Sequence, residues 1–255
     1  MKVVVGIPAR LGSSRLPGKP LAEIAGMPMI EHVYKRCSLS KYGANTFIAT
    51  CDEEIKDVVE EFGGEVIMTD LDISRPGLRV ADAAKTLDLD DNDIVVVVQG
   101  DEPFVHPEMI DLAIEPLLNE EGIFVSNMVS NIQTEEEWVD SNNVKVVTDL
   151  DRNAIYMSRC PIPSTDHEEL RGERLLQVCI LPFFWHFMKK FNELAPTPLE
   201  KAESIEMIRA IQHGYKVRMV ETPYFSMGVD TPDDLLVAQE KMLVDAVWPL
   251  YKPKN

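Results

Sequence analysis

The feature that most constrains this chain is a regular alternation of short apolar strands with helical patterns from its first residues to Asn119. Val3–Ile7, Asn45–Thr50, Glu65–Thr69 and Asp93–Val98 read as strands, and Met29–Ser40, Asp52–Phe62, Val80–Leu87 and Pro107–Asn119 read as helices. Parallel strands need a crossover, and a helix is the crossover that also covers the sheet, so this order marks βαβ units. The expected fold is α/β, doubly wound on a mainly parallel sheet. Asp52 is placed as the N-cap of its helix and Gly63-Gly64 as its stop. With 255 residues, 45% of them hydrophobic, the chain can bury a sizeable core.

Beyond Asn119 the texture changes. Ile123–Val129, Val144–Thr148 and Ala154–Ser158 are short strand patterns separated by turn-forming Asn and Asp, as in an antiparallel arrangement. The chain reads as one domain, 1–255, in which residues from about 130 to 225 form a smaller inserted subdomain for acceptor binding and dimerisation. Pro198–His213 reads as a helix, Lys216–Val220 as a strand, and Pro232–Met242 as a closing helix with Thr231 or Asp230 near its cap. Phe183–Phe191 reads as helical, and the apolar face of Ile180–Phe191 is the expected homodimer surface. The tail Trp248–Asn255, with two prolines and two lysines, is expected to be loosely held.

A formal net charge of -18 repels DNA, RNA and anionic membranes, so neither a nucleic acid nor a membrane is an expected partner. Cys37, Cys51, Cys160 and Cys179 lie far apart with no C-x-x-C pair, which reads as free thiols rather than a zinc site. No apolar run approaches the ~18 residues of a membrane span, and the expected location is the cytoplasm.

Against this acidic background, the segment after the first strand carries Arg10, Arg15 and Lys19 among three prolines and two glycines, from Pro8 to Pro20. Free backbone N–H groups and converging cations suit a polyanion such as a nucleoside triphosphate. The spacing is not that of a P-loop, because Gly18-Lys19 is followed by Pro20 rather than Ser or Thr. A solvated basic loop is the plain alternative. Two carboxylates follow strand ends: Asp101 after Val95–Val98 and Gln99-Gly100, and Asp230 within Gly228–Pro232. Ligands bind at the carboxyl ends of strands in open α/β sheets, and magnesium takes one or two carboxylates with phosphate oxygens and water. Helix capping and Asx-turns are the competing roles for both aspartates. His32, His106, His167, His186 and His213 are scattered without metal spacing and read as surface or core residues.

The loop resembles the L-x-x-R-x-x-x-K signature of sugar nucleotidyltransferases from Leu11 through Arg15 to Lys19, with one more residue between Leu11 and Arg15. In its fuller form, P-A-R-x-x-S-x-R-x-P-G-K-P-L from Pro8 to Leu21, it resembles the cytidylyltransferases that make CMP-3-deoxy-manno-octulosonate, here abbreviated Kdo. V-Q-G-D-E-P at Val98–Pro103 and G-V-D-T-P-D-D-L at Gly228–Leu235 extend the match. So do N-V-K-V-V at Asn143–Val147, Tyr156-x-Ser158-Arg159-x-x-Ile162-Pro163, and Pro196–Glu200. The resemblance implies a Rossmann-like nucleotide-diphospho-sugar transferase fold. It also implies CTP and an acidic sugar as substrates, Mg2+ as cofactor, a homodimer and a place in lipopolysaccharide biosynthesis. Carried over by residue, Pro8, Ala9, Arg10, Ser13, Arg15, Lys19 and Arg79 face the nucleotide, and Arg75 is expected beside them as an added cation. Asp101 and Asp230 hold magnesium, and Gln99, Arg159, Gln177 and Glu206 meet the acceptor, with Arg159 forking onto its carboxylate. Arg10, Lys19, Asp101 and Asp230 are the expected catalytic set.

Three departures bear on the choice of substrate. Arg75-Pro76-Gly77 stands where the family has a Ser-Gly-Thr turn, so a backbone donor to the nucleotide is expected to be lost while Arg75 adds a cation. Gln177 and Leu181 replace the His and Tyr of the family's H-L-G-I-Y segment, and Met207 replaces a glutamine after Glu206. Exchanging polar acceptor contacts for apolar ones changes which sugar binds, because unpaired polar groups on a buried substrate cost affinity. Another acceptor, such as an amino-Kdo, a sialic-type sugar or a phosphonate, and a catalytically silent nucleotide-binding relative are the alternatives.

Overall fold

A computed structural model describes residues 1–13, 15–164 and 173–253; His167 and the last two residues of the tail lie outside them. The chain divides into two compact units, Met1–Asp111 with Phe225–Asn255, and Leu112–Tyr224. The segment expected as an insertion, 130–225, lies within the second unit except for Phe225.

Unit one contains β1 (Val3–Ala9), β2 (Glu23–Ile24), β3 (Met27–Pro28), α1 (Met29–Ser38), β4 (Thr46–Thr50), α2 (Glu53–Glu61), β5 (Val66–Met68), α3 (Pro76–Ala84) and β6 (Ile94–Val98). The division falls inside α4 (Pro107–Asn119). Unit two continues with β7 (Ser126–Asn131), α5 (Glu135–Val139), β8 (Lys145–Thr148), β9 (Ala154–Ser158), β10 (Leu175–Val178), β11 (Ile180–Phe184), α6 (Trp185–Glu193), α7 (Pro198–Glu203), α8 (Met207–Gln212) and β12 (Arg218–Glu221). The chain then returns to unit one with α9 (Pro232–Leu243).

In unit one β6, β1, β4 and β5 lie side by side and run parallel. Every residue of β1, β4 and β6 is buried, which explains why these strands read as continuous apolar runs. In unit two the order is β12-β7-β10-β8-β9. β12 pairs parallel with β7, and the other pairings are antiparallel. The expected doubly wound parallel half with a smaller antiparallel part is thus the fold observed.

Four local expectations need correction. The helix expected over 198–213 is two helices, α7 and α8, separated at Ser204, whose φ of 56° is left-handed. A buried bidentate pair clasps the halves, Arg209 Nε and Nη2 to Glu200 Oε2 and Oε1 at 2.8 and 2.5 Å. Of the stretch expected as helical, Phe183 and Phe184 end β11, and the helix begins at Trp185. Its apolar face is also already occupied. Ile180, Leu181, Phe183, Trp185, Phe187, Met188 and Phe191 are all buried, and Phe183 packs on Phe187 and Phe191 at centroid distances of 6.4 and 5.7 Å. Those side chains are spent inside the chain, so they furnish no dimer surface. Finally, the tail is anchored. Trp248 packs with Ile24, Met27, Met29, Phe104, Val229, Ala238 and Met242, and the Tyr251 hydroxyl meets His32 Nδ1 and Arg36 Nε, each at 2.8 Å. His32 and Arg36 are fully buried there, and burial pushes the imidazole down to about 4 despite the Ile24 carbonyl that it bonds.

Candidate active site

Because the strands of unit one are parallel, the segments following β1 and β6 leave the same edge of the sheet. The turn after β6 fits closely against β1: a Cβ on Gly100 would lie 2.9 Å from Pro8 O and 3.1 Å from Ile30 Cδ1. Only glycine permits that approach, and it places Gln99, half-buried, and Asp101 beside the basic loop. The third segment is tied on by Val229 N, which donates to Asp101 O at 2.9 Å.

The helix cap at α9 is Thr231, in a capping box with Asp234. Asp234 Oδ2 also accepts from Asp230 N at 3.0 Å, so the backbone of Asp230 is fixed while its carboxylate does no capping. That carboxylate and the one of Asp101 share a single ammonium. Lys19 Nζ lies 2.5 Å from Asp101 Oδ2 and 2.9 Å from Asp230 Oδ1, and Arg15 Nη2 lies 3.1 Å from the same Asp230 oxygen. Side-chain exposures of 13% for Lys19, 24% for Asp101, 35% for Asp230 and 49% for Arg15 rank the cluster from its centre outward. Burial alone would lower the Lys19 pKa, but attraction and hydrogen bonding to the two aspartates outweigh it and hold the ammonium above its ordinary value.

The basic loop is shaped by its own backbone. Ser13 N and Gly18 N both donate to Leu11 O, at 2.8 and 3.3 Å, and Gly18 turns at φ 69° to set Lys19 at the start of a short 3-10 turn, Lys19–Leu21. Asp52 holds the loop's first residue, with Oδ2 accepting from Leu11 N at 2.8 Å. It is the N-cap by position, but its side chain makes no cap bond. The signal for this role was present, since Asp52 follows strand β4 as Asp101 follows β6. Arg10 is exposed and has no partner among the described residues, leaving its guanidinium available to an anion. Pro8 and Ala9 are the buried last residues of β1, and the Ser13 hydroxyl accepts from Leu16 N at 3.4 Å within the loop.

Arg75 and Arg79 differ from their expected joint role. Arg75 is the N-cap residue of α3 and Pro76 its first helical residue, a place where a missing N–H breaks no helical bond. The substituted turn therefore builds a normal helix start. Arg79 is buried, and its guanidinium donates to Thr69 Oγ1 at 2.5 Å and to the carbonyls of Asp70 and Ile73. It pins the loop before α3 instead of presenting its fork to a phosphate.

Within unit two, Arg159 is also committed. Its Nε donates to Glu203 O at 2.8 Å and its Nη1 to Ser141 O at 2.9 Å, so two positions of the expected carboxylate fork are filled by carbonyls. Its N–H donates to Glu203 Oε2 at 2.9 Å, and its carbonyl accepts from Lys145 Nζ at 2.8 Å. Lys145 is fully buried and donates to Asp140 O and Asn143 O as well, at 2.6 and 2.9 Å. Glu203 accepts further bonds from Tyr156 and Ser158 at 3.0 and 2.8 Å. Burial would raise the Glu203 pKa, but its bonds to Arg159, Ser158 and Tyr156 hold it below the ordinary value. Sequence reasoning missed Lys145 and Glu203 as site-builders, although a lysine inside the apolar strand Val144–Val147 was a visible signal. Gln177 Nε2 bonds Asn127 Oδ1 at 2.6 Å. Glu206 is the N-cap of α8 and, after Glu200, adds to the field that raises the Arg209 pKa. Leu181 and Met207 are buried.

The donor chemistry at Asp101 and Asp230 fits magnesium. Two carboxylates converge on one cation, and among the described residues no group of three or more His, Cys, Asp or Glu side chains gathers to form a complete protein cage. An ion held there takes its remaining ligands from phosphate and water, as magnesium does.

A family described as cytidylyltransferase matches residues 4–219. A 3-deoxy-manno-octulosonate cytidylyltransferase of Trichlorobacter lovleyi is 41% identical over 252 residues, covering 95% of this chain and 99% of that protein. An 8-amino-3,8-dideoxy-manno-octulosonate cytidylyltransferase of Shewanella piezotolerans is 40% identical over 247 residues, covering 96% of this chain and all of that protein. The solved structure of CMP:2-keto-3-deoxy-manno-octonic acid synthetase complexed with CTP superposes with a TM-score of 0.88 at 33% identity, covering 96% of this chain and 99% of that one.

Proposed function

The chain belongs to the 3-deoxy-manno-octulosonate cytidylyltransferase family, and on that premise we propose that it joins CMP from CTP to Kdo with release of pyrophosphate. The observation that carries this reading is the meeting of Lys19 and Arg15 with Asp101 and Asp230 in one cluster. Such a cluster offers both cations for phosphates and carboxylates for a metal. Pyrophosphate release from CTP in the presence of Kdo and magnesium is the expected result. Release with UTP or GTP but not CTP would overturn the cytidine assignment.

An acceptor hydroxyl attacks the α-phosphorus of CTP, a P–O bond forms, and the bond to the β-phosphate bridging oxygen breaks. Alignment and neutralisation of charge supply the rate, and no protein nucleophile is needed. Arg10, Arg15 and Lys19 hold the triphosphate, and the Leu11 carbonyl, accepting from Ser13 N and Gly18 N, folds the loop that carries them. Asp101 and Asp230 would hold magnesium, which when bound would supply positive charge to the phosphate oxygens. Arg159, braced at Nε and Nη1, offers the acceptor carboxylate one end of its guanidinium.

An 8-amino-Kdo acceptor is the second reading. It is favoured by the Shewanella relative, which is named for that acceptor. Parallel assays with Kdo and its 8-amino analogue separate the two by kcat/KM. A homodimer, a cytoplasmic location and a role in lipopolysaccharide biosynthesis belong to the same proposal. No helix among the described residues is long and apolar enough to cross a membrane. A monomer mass from light scattering at micromolar concentration would remove the dimer.

A further inference from the structure

We propose that Lys19 is an exchangeable internal cation that keeps divalent metal out of the Asp101–Asp230 pair until a nucleoside triphosphate draws the lysine away. The inference rests on the reading of these two aspartates as the magnesium carboxylates. Its basis is positional. At 2.5 Å from one carboxylate and 2.9 Å from the other, the ammonium stands where a bridging ion would stand. A dication bound to both oxygens at its usual ~2.0–2.1 Å could not coexist with that ammonium, for reasons of space and like charge.

The cluster is also balanced. Two carboxylates face two cations, Lys19 and Arg15, so the local pull on a dication is cancelled although the chain as a whole carries a charge of -18. A triphosphate changes this balance by offering Lys19 a denser anion. Lysine suits the exchange because its charge sits on a flexible stem, unlike the planar fork of arginine. The backbone need not move. Lys19 N donates to Leu16 O and Leu21 N to Gly18 O, at 3.1 and 2.9 Å, so the turn stays closed while the side chain swings. Arg15 meets Asp230 at 3.1 Å and is half exposed, so it sits at the rim of the pair while Lys19 stands at its centre. Metal loading then depends on nucleotide, and an acidic protein avoids filling its catalytic carboxylates with whatever dication is present.

Mn2+ binding, read from the electron paramagnetic resonance signal of the free ion in nucleotide-free protein, tests this without turnover. Lys19→Met should bind Mn2+ about tenfold or more tightly than wild type, because the competing charge is gone. Lys19→Arg should bind as weakly as wild type, and Lys19→Met with Asp101→Asn should lose the gain. Mn2+ should also raise the melting temperature of Lys19→Met more than that of wild type, which verifies that the variant is folded and loaded. If Lys19→Met binds Mn2+ no more tightly than wild type while Asp101→Asn abolishes CTP turnover, the exchange is overturned and the metal carboxylates stand. Full turnover by Asp101→Asn overturns the metal reading itself, and the exchange with it.

Discussion

The basic loop of unit one and the Glu203 cluster of unit two both set cationic side chains among oxygen acceptors, yet they commit those cations in opposite ways. Lys19 and Arg15 are held by carboxylates, and Arg10 has no partner among the described residues. Lys145 and the Arg159 side chain are instead held by backbone carbonyls of residues 140, 141, 143 and 203. A side chain paired with another charged side chain can change partner when a stronger anion arrives. One that satisfies several carbonyls at once cannot leave without abandoning all of them together. The first arrangement suits a triphosphate that must come and go, and the second suits a fixed contact for a small acid.

The largest expected effect falls on the carboxylates. Asp101→Asn and Asp230→Asn should each lower turnover by roughly two powers of ten or more, with melting temperature little changed because Lys19 keeps the other carboxylate. Normal turnover per folded molecule, from steady-state pyrophosphate release, would return both aspartates to a structural role. Glu203→Gln should come next. It keeps the size but loses the charge that orders Arg159, so KM for the acid sugar should rise about tenfold while KM for CTP holds. Equal rises in both constants would mean that the cluster supports the fold without acting on the acceptor.

Arg10→Ala should raise KM for CTP about fivefold, the loss of one exposed phosphate contact, and leave thermal unfolding where it was. A large drop in melting temperature would show that Arg10 is structural after all. The smallest effect is a pH dependence. The Glu203 pKa is held below its unfolded value, so its stabilisation is complete above that value and is lost as pH falls through the folded one. The difference in urea midpoint between wild type and Glu203→Gln should therefore shrink from neutral pH to pH ~4; a difference that widens would contradict the assignment.

Three of the four parallel strands of unit one were legible because burial on both faces removes alternation from a strand, and β1, β4 and β6 are buried throughout. Asp101 and Asp230 were legible for a similar reason, as carboxylates that follow apolar strands or open a helix. What they bind in the absence of substrate was not, since the two side chains that meet at Lys19 stand 129 positions apart in the sequence. The break at Ser204 was hidden because helical periodicity continues through it, and only the Glu200–Arg209 clasp shows why the chain folds back. The apolar stretch Ile180–Phe191 looked like an interface because sequence reports that a face is hydrophobic, not which partner covers it.

The type of fold and the family could be read from the chain alone, because these depend on local pattern and on residue type at fixed spacing. Tertiary structure alone decided which cations are free to exchange. Arg79 carries the same guanidinium as Arg10, but the Thr69 hydroxyl and the carbonyls of Asp70 and Ile73 occupy it, and Arg159 gives its Nε and Nη1 to the carbonyls of Glu203 and Ser141. A guanidinium N–H is available to substrate only where no nearer acceptor claims it, and which acceptors come near depends on how the loops fold back onto each arginine.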